Sequence, residues 1–206
     1  MATVTGEETC DVPFNPSGPR EAVTTRMAKQ RQLPAFRLRF QPDSIAYWAG
    51  RYKAEDDRTV EHIGRTTRSR GYYERDGFLQ VCEWKTSRAR SRRAANTAED
   101  VHEITRLALS ARNERLRIEA LNLLDGVSWP TASVLLHLAH RDPYPILDVR
   151  ALWSLGVDAP SYYDFSFWWA YVGTCRALAL SARVNMRTLD RSLWQYSKEN
   201  AYLADA

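Results

Sequence analysis

Three groups of residues in this chain have types and spacings that could do chemistry. The first is the run Leu123-Leu124-Asp125-Gly126-Val127-Ser128-Trp129-Pro130-Thr131-Ala132-Ser133. A glycine between two apolar stretches permits left-handed or crowded backbone. The N–H groups at the start of the helix that follows, together with its dipole, can bind a phosphate without reading base sequence. Gly126, Val127 and Ser128 are the expected anchor, and Thr131 adds a hydroxyl. Trp129 sits in the turn itself, where it could pack on a sugar or wedge against a backbone. The plainer alternative is a glycine turn joining two packed helices, as in any helical bundle. The second group is Asp148, in Tyr144-Pro145-Ile146-Leu147-Asp148-Val149-Arg150. It is an expected N-cap, worth about 1 kcal/mol. A carboxylate in that place can also oppose positive charge that develops in a reaction. The third group is Glu83-Trp84-Lys85 with Arg88. It reads as a phosphate clamp, as an acid–base pair with Glu83 or Lys85 facing Asp148, or as a surface charge set around a buried tryptophan.

The charge distribution adds a partner class. The chain has 206 residues and a net charge of +4. Between Arg65 and Arg93 there are nine Lys or Arg, including Arg65, Arg68, Arg88, Arg90, Arg92 and Arg93, against three acids. Such a stripe beside a near-neutral remainder suggests a polyanion, and the competing reading is a solvated helix face. The three cysteines, Cys10, Cys82 and Cys175, have no metal or redox spacing. The four histidines share no ligand pattern either, so no metal or cofactor is expected. No apolar run reaches the length of a membrane span, since Phe165 to Ala182 is interrupted by Arg176. The N-terminus has no apolar segment of a signal peptide. A cytoplasmic protein with no membrane partner is the expectation.

These residues must be positioned by helices. Residues 1–34 read as a mobile or irregular arm, and 35–206 as one helical domain. Ala35 to Phe40 alternates apolar and basic, giving a short strand or an extended lead-in. Asp43 or Ser44 is expected to cap a helix carrying Ile45, Tyr47 and Trp48. Helices are expected over 58–69 and 78–87, with Asp76-Gly77 as a turn and 88–96 as a loop. Thr97 to Asp100 is a capping box with Asp in place of Glu, and Asn113 caps the next helix through Leu124. Further helices are expected over 130–139, after Asp148 as far as Gly156, over 165–182 and over 188–200. Seven to nine helices and at most one strand make the class all-α.

The hairpin run and the aspartate together resemble the helix-hairpin-helix DNA glycosylase superfamily, which includes endonuclease III, MutY and the 8-oxoguanine glycosylases. The family pattern is Leu-x-Gly-Val-Gly-x-x-Thr-Ala, then an apolar helix, then two apolar residues and an Asp opening another helix. Leu124, Gly126, Val127, Thr131 and Ala132 match the first part, and Pro145-Ile146-Leu147-Asp148 matches the second. The resemblance covers residues 114–156, about a fifth of the chain, with the helix-hairpin-helix element at about 114–140. It implies a bilobal all-α fold and a grip on double-stranded DNA by the hairpin, the basic stripe and Arg150. It further implies a catalytic Asp148 that stabilises an oxocarbenium-like sugar or orients the attacking water. Two positions depart from the pattern. Ser128 stands where the family has glycine. Pro130 stands where bifunctional members carry a nucleophilic lysine, which removes a Schiff-base lyase step from the usual position. The cysteine spacings cannot hold the iron–sulfur cluster of some members.

A glycosylase must unstack its target base and hold it in a pocket. Trp84, Tyr144 and Trp168 are candidate walls, against the alternative of ordinary core packing. The function expected is that of a monofunctional DNA glycosylase-like protein, with a monomer as the favoured state. The alternatives are a non-catalytic DNA-binding protein on the same scaffold and a helical protein–protein adaptor.

Overall fold

The computed structural model describes residues 33–54 and 57–201, and the expected arm falls almost wholly outside them. The described residues form ten α-helices and one short 3₁₀ turn, with no strand, so the fold is all-α. Leu33 to Leu38 carries no regular secondary structure. Arg37 N–H donates to the Leu155 carbonyl at 2.8 Å and Arg39 N–H to that of Ser154 at 2.9 Å, tying the lead-in to the end of a helix. The 3₁₀ turn Pro42–Ser44 leads into α1 (Ile45–Arg51), and Ser44 makes no side-chain cap there.

The next helices are α2 (Asp57–Arg70), α3 (Arg75–Lys85), α4 (Arg90–Ala94), α5 (Ala98–Ser110) and α6 (Glu114–Leu121). After them come α7 (Trp129–Ala139), α8 (Val149–Ser154), α9 (Phe165–Ser181) and α10 (Met186–Asn200). Several boundaries follow from local hydrogen bonds. Thr97 and Asp100 close a full capping box on α5. Asn113 caps α6, Asp164 caps α9 and Asn185 caps α10 through side-chain oxygens.

Two expectations fail for tertiary reasons. Asp76 and Gly77 lie in the first turn of α3, not in a turn, and the Gly77 Cα faces Ile63 at a separation that leaves little room for a side chain. The polar stretch expected as a loop over 88–96 contains α4. Arg93 on that helix is only 2 % exposed, and its guanidinium donates to the Arg88 carbonyl at 2.5 Å and the Thr86 carbonyl at 2.7 Å. A buried arginine that satisfies loop carbonyls organises a segment whose composition alone looks solvated.

The core centres on α7, which is apolar on nearly every side and mostly buried. α2 and α3 pack against it, while α10 packs against α1, α8 and α9. α2 crosses α7 at Gly64, where a Cβ would lie 2.7 Å from the Leu138 carbonyl oxygen. That close approach is why a glycine stands in the middle of a helix.

The loop between α7 and α8 carries no regular structure, yet its backbone groups are held from both sides. The His137 Nδ1 lies 2.6 Å from the Tyr144 carbonyl, and the Tyr171 hydroxyl donates to that of Ile146 at 2.8 Å. Arg176 donates to the Pro143 carbonyl at 2.9 Å, and Leu147 N–H donates to Ser133 Oγ at 2.8 Å. Buried backbone groups need such partners. Here the partners come from α7 and α9, and together they fix where Asp148 emerges.

Candidate functional site

Asp148 is the N-cap of α8, and its two oxygens do different things. Oδ1 accepts the Arg150 N–H at 2.9 Å, and Oδ2 accepts from Lys85 Nζ at 2.6 Å. Lys85 is the last residue of α3. The side chains are 12 % exposed at Lys85 and 21 % at Asp148, so the pair is desolvated while still reaching an opening. Burial pushes the Asp148 carboxyl up, but the Lys85 ammonium and the hydrogen bonds from Lys85 and Arg150 outweigh it and hold the group below the usual carboxylate range. The charged form is therefore the resting form at neutral pH.

The pair forms one wall of a cavity of about 460 Å³. Tyr52, Trp84 and Trp194 supply aromatic surface, and Ile146 and Ala151 supply apolar surface. Lys53 and Lys198 are exposed at its rim, and Arg187 and Asp190 lie deeper. The region below them is an ion network. Asp57 is 1 % exposed and is held by Arg187 and, at 2.8 Å, by Arg191. Arg187 also pairs with Asp190 at 2.6 Å, and Arg191 with Glu61 at 2.8 Å. Tyr52 donates to Asp57 at 3.2 Å; burial and the neighbouring carboxylate push its phenol up to about 12. The Tyr163 phenol is also pushed up, by burial and then by the negative charge of Asp148.

Of the residues expected at the site from sequence, Lys85 and Asp148 are brought together directly, and Trp84 lines their cavity. Glu83 is not there. It faces a second cavity of about 560 Å³, with Arg90 at 3.4 Å and Arg93 at 3.5 Å from its carboxylate, and Trp84 lines that cavity too. Tyr144 and Trp168 are both 0 % exposed and stack on each other with centroids 5.7 Å apart. They belong to the core: the Tyr144 hydroxyl donates to Glu114 at 2.5 Å and accepts from Arg117, so neither ring is a pocket wall. Tyr52 and Trp194 take that place instead. The spacing of Trp194 and Lys198 on one helix face was the available signal, but it is equally the signature of packing.

The hairpin is present, with one face covered. Gly126 has φ +72°, and a Cβ there would lie 2.8 Å from Arg93 Cγ and 3.1 Å from the Ala89 carbonyl oxygen. Both its conformation and its close contact require glycine. Asn96 clamps the turn, donating to the Asp125 carbonyl at 3.0 Å and accepting the Asp125 N–H at 2.8 Å. Val127 is buried and its N–H is taken by the Leu124 carbonyl at 3.1 Å. Ser128 has φ −128°, outside the left-handed region, so serine is unstrained where the family pattern has glycine. It is exposed at the N-terminus of α7. Trp129 is half-buried against Trp168 rather than projecting from the hairpin. Thr131 is 3 % exposed, so its hydroxyl does not reach the surface.

The basic stripe divides in the same way. Arg65, Arg88, Arg90 and Arg92 are exposed. Arg68 is exposed too, but its guanidinium donates to the Leu138 carbonyl at 3.0 Å and the Ala139 carbonyl at 3.4 Å, at the end of α7. Arg93 is corrected from a surface contact to a buried structural residue. Arg150 is half-buried, its guanidinium 5.4 Å from the Trp194 ring centre.

Among the described residues no group of three His, Cys, Asp or Glu side chains is arranged to hold a metal ion. No helix among them is long and apolar enough to cross a membrane. Comparison with protein families, curated proteins and solved structures finds no match to this chain.

Proposed function

We propose that this chain is a monofunctional DNA glycosylase-like protein that removes a modified or mispaired base by water attack assisted by Asp148. The observation that carries the reading is the Lys85–Asp148 pair, 2.6 Å apart, on the wall of an aromatic-lined cavity. An extruded nucleotide would lie against Tyr52, Trp84 and Trp194. As the N-glycosidic bond breaks, its electron pair leaves with the base, which takes up a proton from solvent. Positive charge then develops on the sugar carbon and ring oxygen, opposite the Asp148 carboxylate. Water bonds to that carbon and its proton returns to solvent. A carboxylate held below its usual range is a weak base, so electrostatic stabilisation and orientation of the water are its chief contributions. Lys85 is a positioning residue that keeps the carboxylate ionised and fixes its rotamer.

The test is a panel of duplexes with modified or mispaired bases, with hot alkali revealing abasic sites. Wild-type protein is expected to release at least one base, while Asp148→Asn retains DNA affinity and releases none. Normal excision by that variant would overturn the assignment. Borohydride added with a pre-formed abasic duplex is expected to trap no covalent adduct; a Lys85-dependent adduct would move the nucleophile from water to the lysine. A second reading, a DNA-binding protein without catalysis, draws on the exposed arginines of α4 beside the hairpin. Its outcome is salt-sensitive duplex binding with no abasic product on any substrate.

A further inference from the structure

Several cations in and near the Asp148 cavity have a carboxylate partner. Lys85 pairs with Asp148 at 2.6 Å, and Arg191 with Asp57 and Glu61 at 2.8 Å. Arg187 is held by Asp57 and Asp190, and Arg51 by Glu199 at 2.9 Å. Three cations differ. The Lys198 ammonium lies 4.9 Å from the Trp194 ring centre, and the Arg150 guanidinium lies 5.4 Å from the same centre. Lys53 lines the same cavity as Trp194 and Lys198. Among the described residues none of the three forms an ion pair with a carboxylate.

We propose that Lys53, Arg150 and Lys198 form a phosphate seat around Trp194 at the mouth of the Asp148 cavity, which takes a backbone phosphate of the polynucleotide strand whose nucleotide enters the cavity. This rests on the proposed reading of that cavity as a nucleotide site. The Arg150 and Lys198 charges beside one ring repel each other, and the attraction of each to the ring offsets that only in part. Arg150 feels Asp148 and Lys198 feels Glu199, but neither is within ion-pair distance of a carboxylate among the described residues, so an entering anion relieves the repulsion that remains. The cavity also has a polarity. Its rim carries Lys53 and Lys198, both exposed, whereas Asp148 and Asp190 are more buried. A group that is anionic at one end and neutral at the other is therefore oriented, with phosphate outward and base inward. Trp194 adds an aromatic face beside the cations, the combination that binds nucleic-acid strands by stacking and charge together. A volume of about 460 Å³ falls in the range of about 300–1,000 Å³ that holds ligands of nucleotide size.

The experiment measures anisotropy of the full chain on a labelled duplex containing a tetrahydrofuran abasic analogue, which no glycosylase can cleave. Affinity is followed from about 50 to about 200 mM salt. Each phosphate contact adds about 0.9 to the slope of log affinity against log salt. The double variant Arg150→Gln/Lys198→Gln, which removes the contact to that one phosphate, is expected to flatten that slope by about 0.9. Lys53→Gln/Lys198→Gln, which changes only exposed side chains, is expected to do the same and guards against a folding defect at Arg150. Wild-type slopes in both variants would overturn the seat, as would the absence of any duplex binding at low salt. Competition by poly-glutamate as effective as that of single-stranded DNA of equal charge would overturn it in favour of an acidic polypeptide. The assay does not read excision. Flattened slopes with no base released on the modified-duplex panel would sink the glycosylase reading and leave the seat standing; base release with unchanged slopes would do the reverse.

Discussion

At Asp148 one carboxylate caps a helix and faces an ammonium, each partner using its own oxygen. Removing Lys85 leaves a partly buried carboxylate with a single backbone donor, and an uncompensated charge of that kind costs about 2 kcal/mol. Lys85→Met is therefore expected to lower the urea midpoint at pH 7. The folded-state pKa of Asp148 is depressed, so the stability it contributes is present above the unfolded carboxyl range of about 3.9 and lost as pH falls through the depressed value. The gap between Lys85→Met and wild type is expected to narrow at acid pH as the carboxyl protonates. Urea titrations at neutral and acid pH check this, and a variant as stable as wild type at pH 7 would count against the pair. Because Asp148 stays ionised over the neutral range, activity near pH 7 is not expected to carry an acid limb from this group.

Among the elements, the hairpin and α4 act as one unit. Gly126, with its positive φ, lies against Arg93 and Ala89, and Asn96 ties the turn to the end of α4. An alanine at 126 meets both a left-handed backbone, worth about 1 kcal/mol, and atoms inside normal contact distance. Gly126→Ala is expected to cost more than 1 kcal/mol in total and to loosen α4, read as a lower melting temperature and faster amide exchange over 89–96. Unchanged exchange there would mean the contact is slack. The same coupling bears on the proposed DNA contact. α4 carries the exposed Arg90 and Arg92, and the contact of Gly126 with Ala89 and Arg93 ties the position of that helix to the turn before α7.

For the molecule as a whole, the buried His140 and the half-buried His137 link folding to pH. Burial pushes the imidazoles of His137 and His140 down; at His137 the nearby Asp190 opposes this and Arg187 adds to it. A folded-state pKa below the unfolded value of about 6.5 means the unfolded chain binds more protons. The stability these groups contribute is thus present above about pH 6.5 and lost as pH falls through the folded-state values. The melting temperature is expected to drop between about pH 7 and about pH 5, and His137→Gln to flatten the dependence. A flat wild-type curve would contradict the burial assigned to these rings. His137 bonds the Tyr144 carbonyl in the loop that delivers Asp148, so acid should loosen the site before the rest of the fold.

What could be read from sequence was local. The all-α class followed from apolar spacing, and the caps at Thr97, Asn113 and Asp148 followed because a cap needs only hydrogen bonds to residues two or three positions away. That Lys85 could face Asp148 was one of several open readings, since nothing local links residues 63 positions apart. The pocket walls were not legible. Tyr144 and Trp168 proved to be core and Tyr52 and Trp194 proved to be walls, although all four are aromatic residues flanked by apolar and charged neighbours. Arg93 in a basic run looks like its exposed neighbours until the loop carbonyls of Thr86 and Arg88 close around it. The sequence alone determined most of the helices, the caps at Thr97 and Asn113 and an aspartate at the head of α8, but not α4 or the start of α3. Only the tertiary structure decided what that aspartate faces and which rings enclose it, because burial and charge pairing depend on which distant segments meet in space.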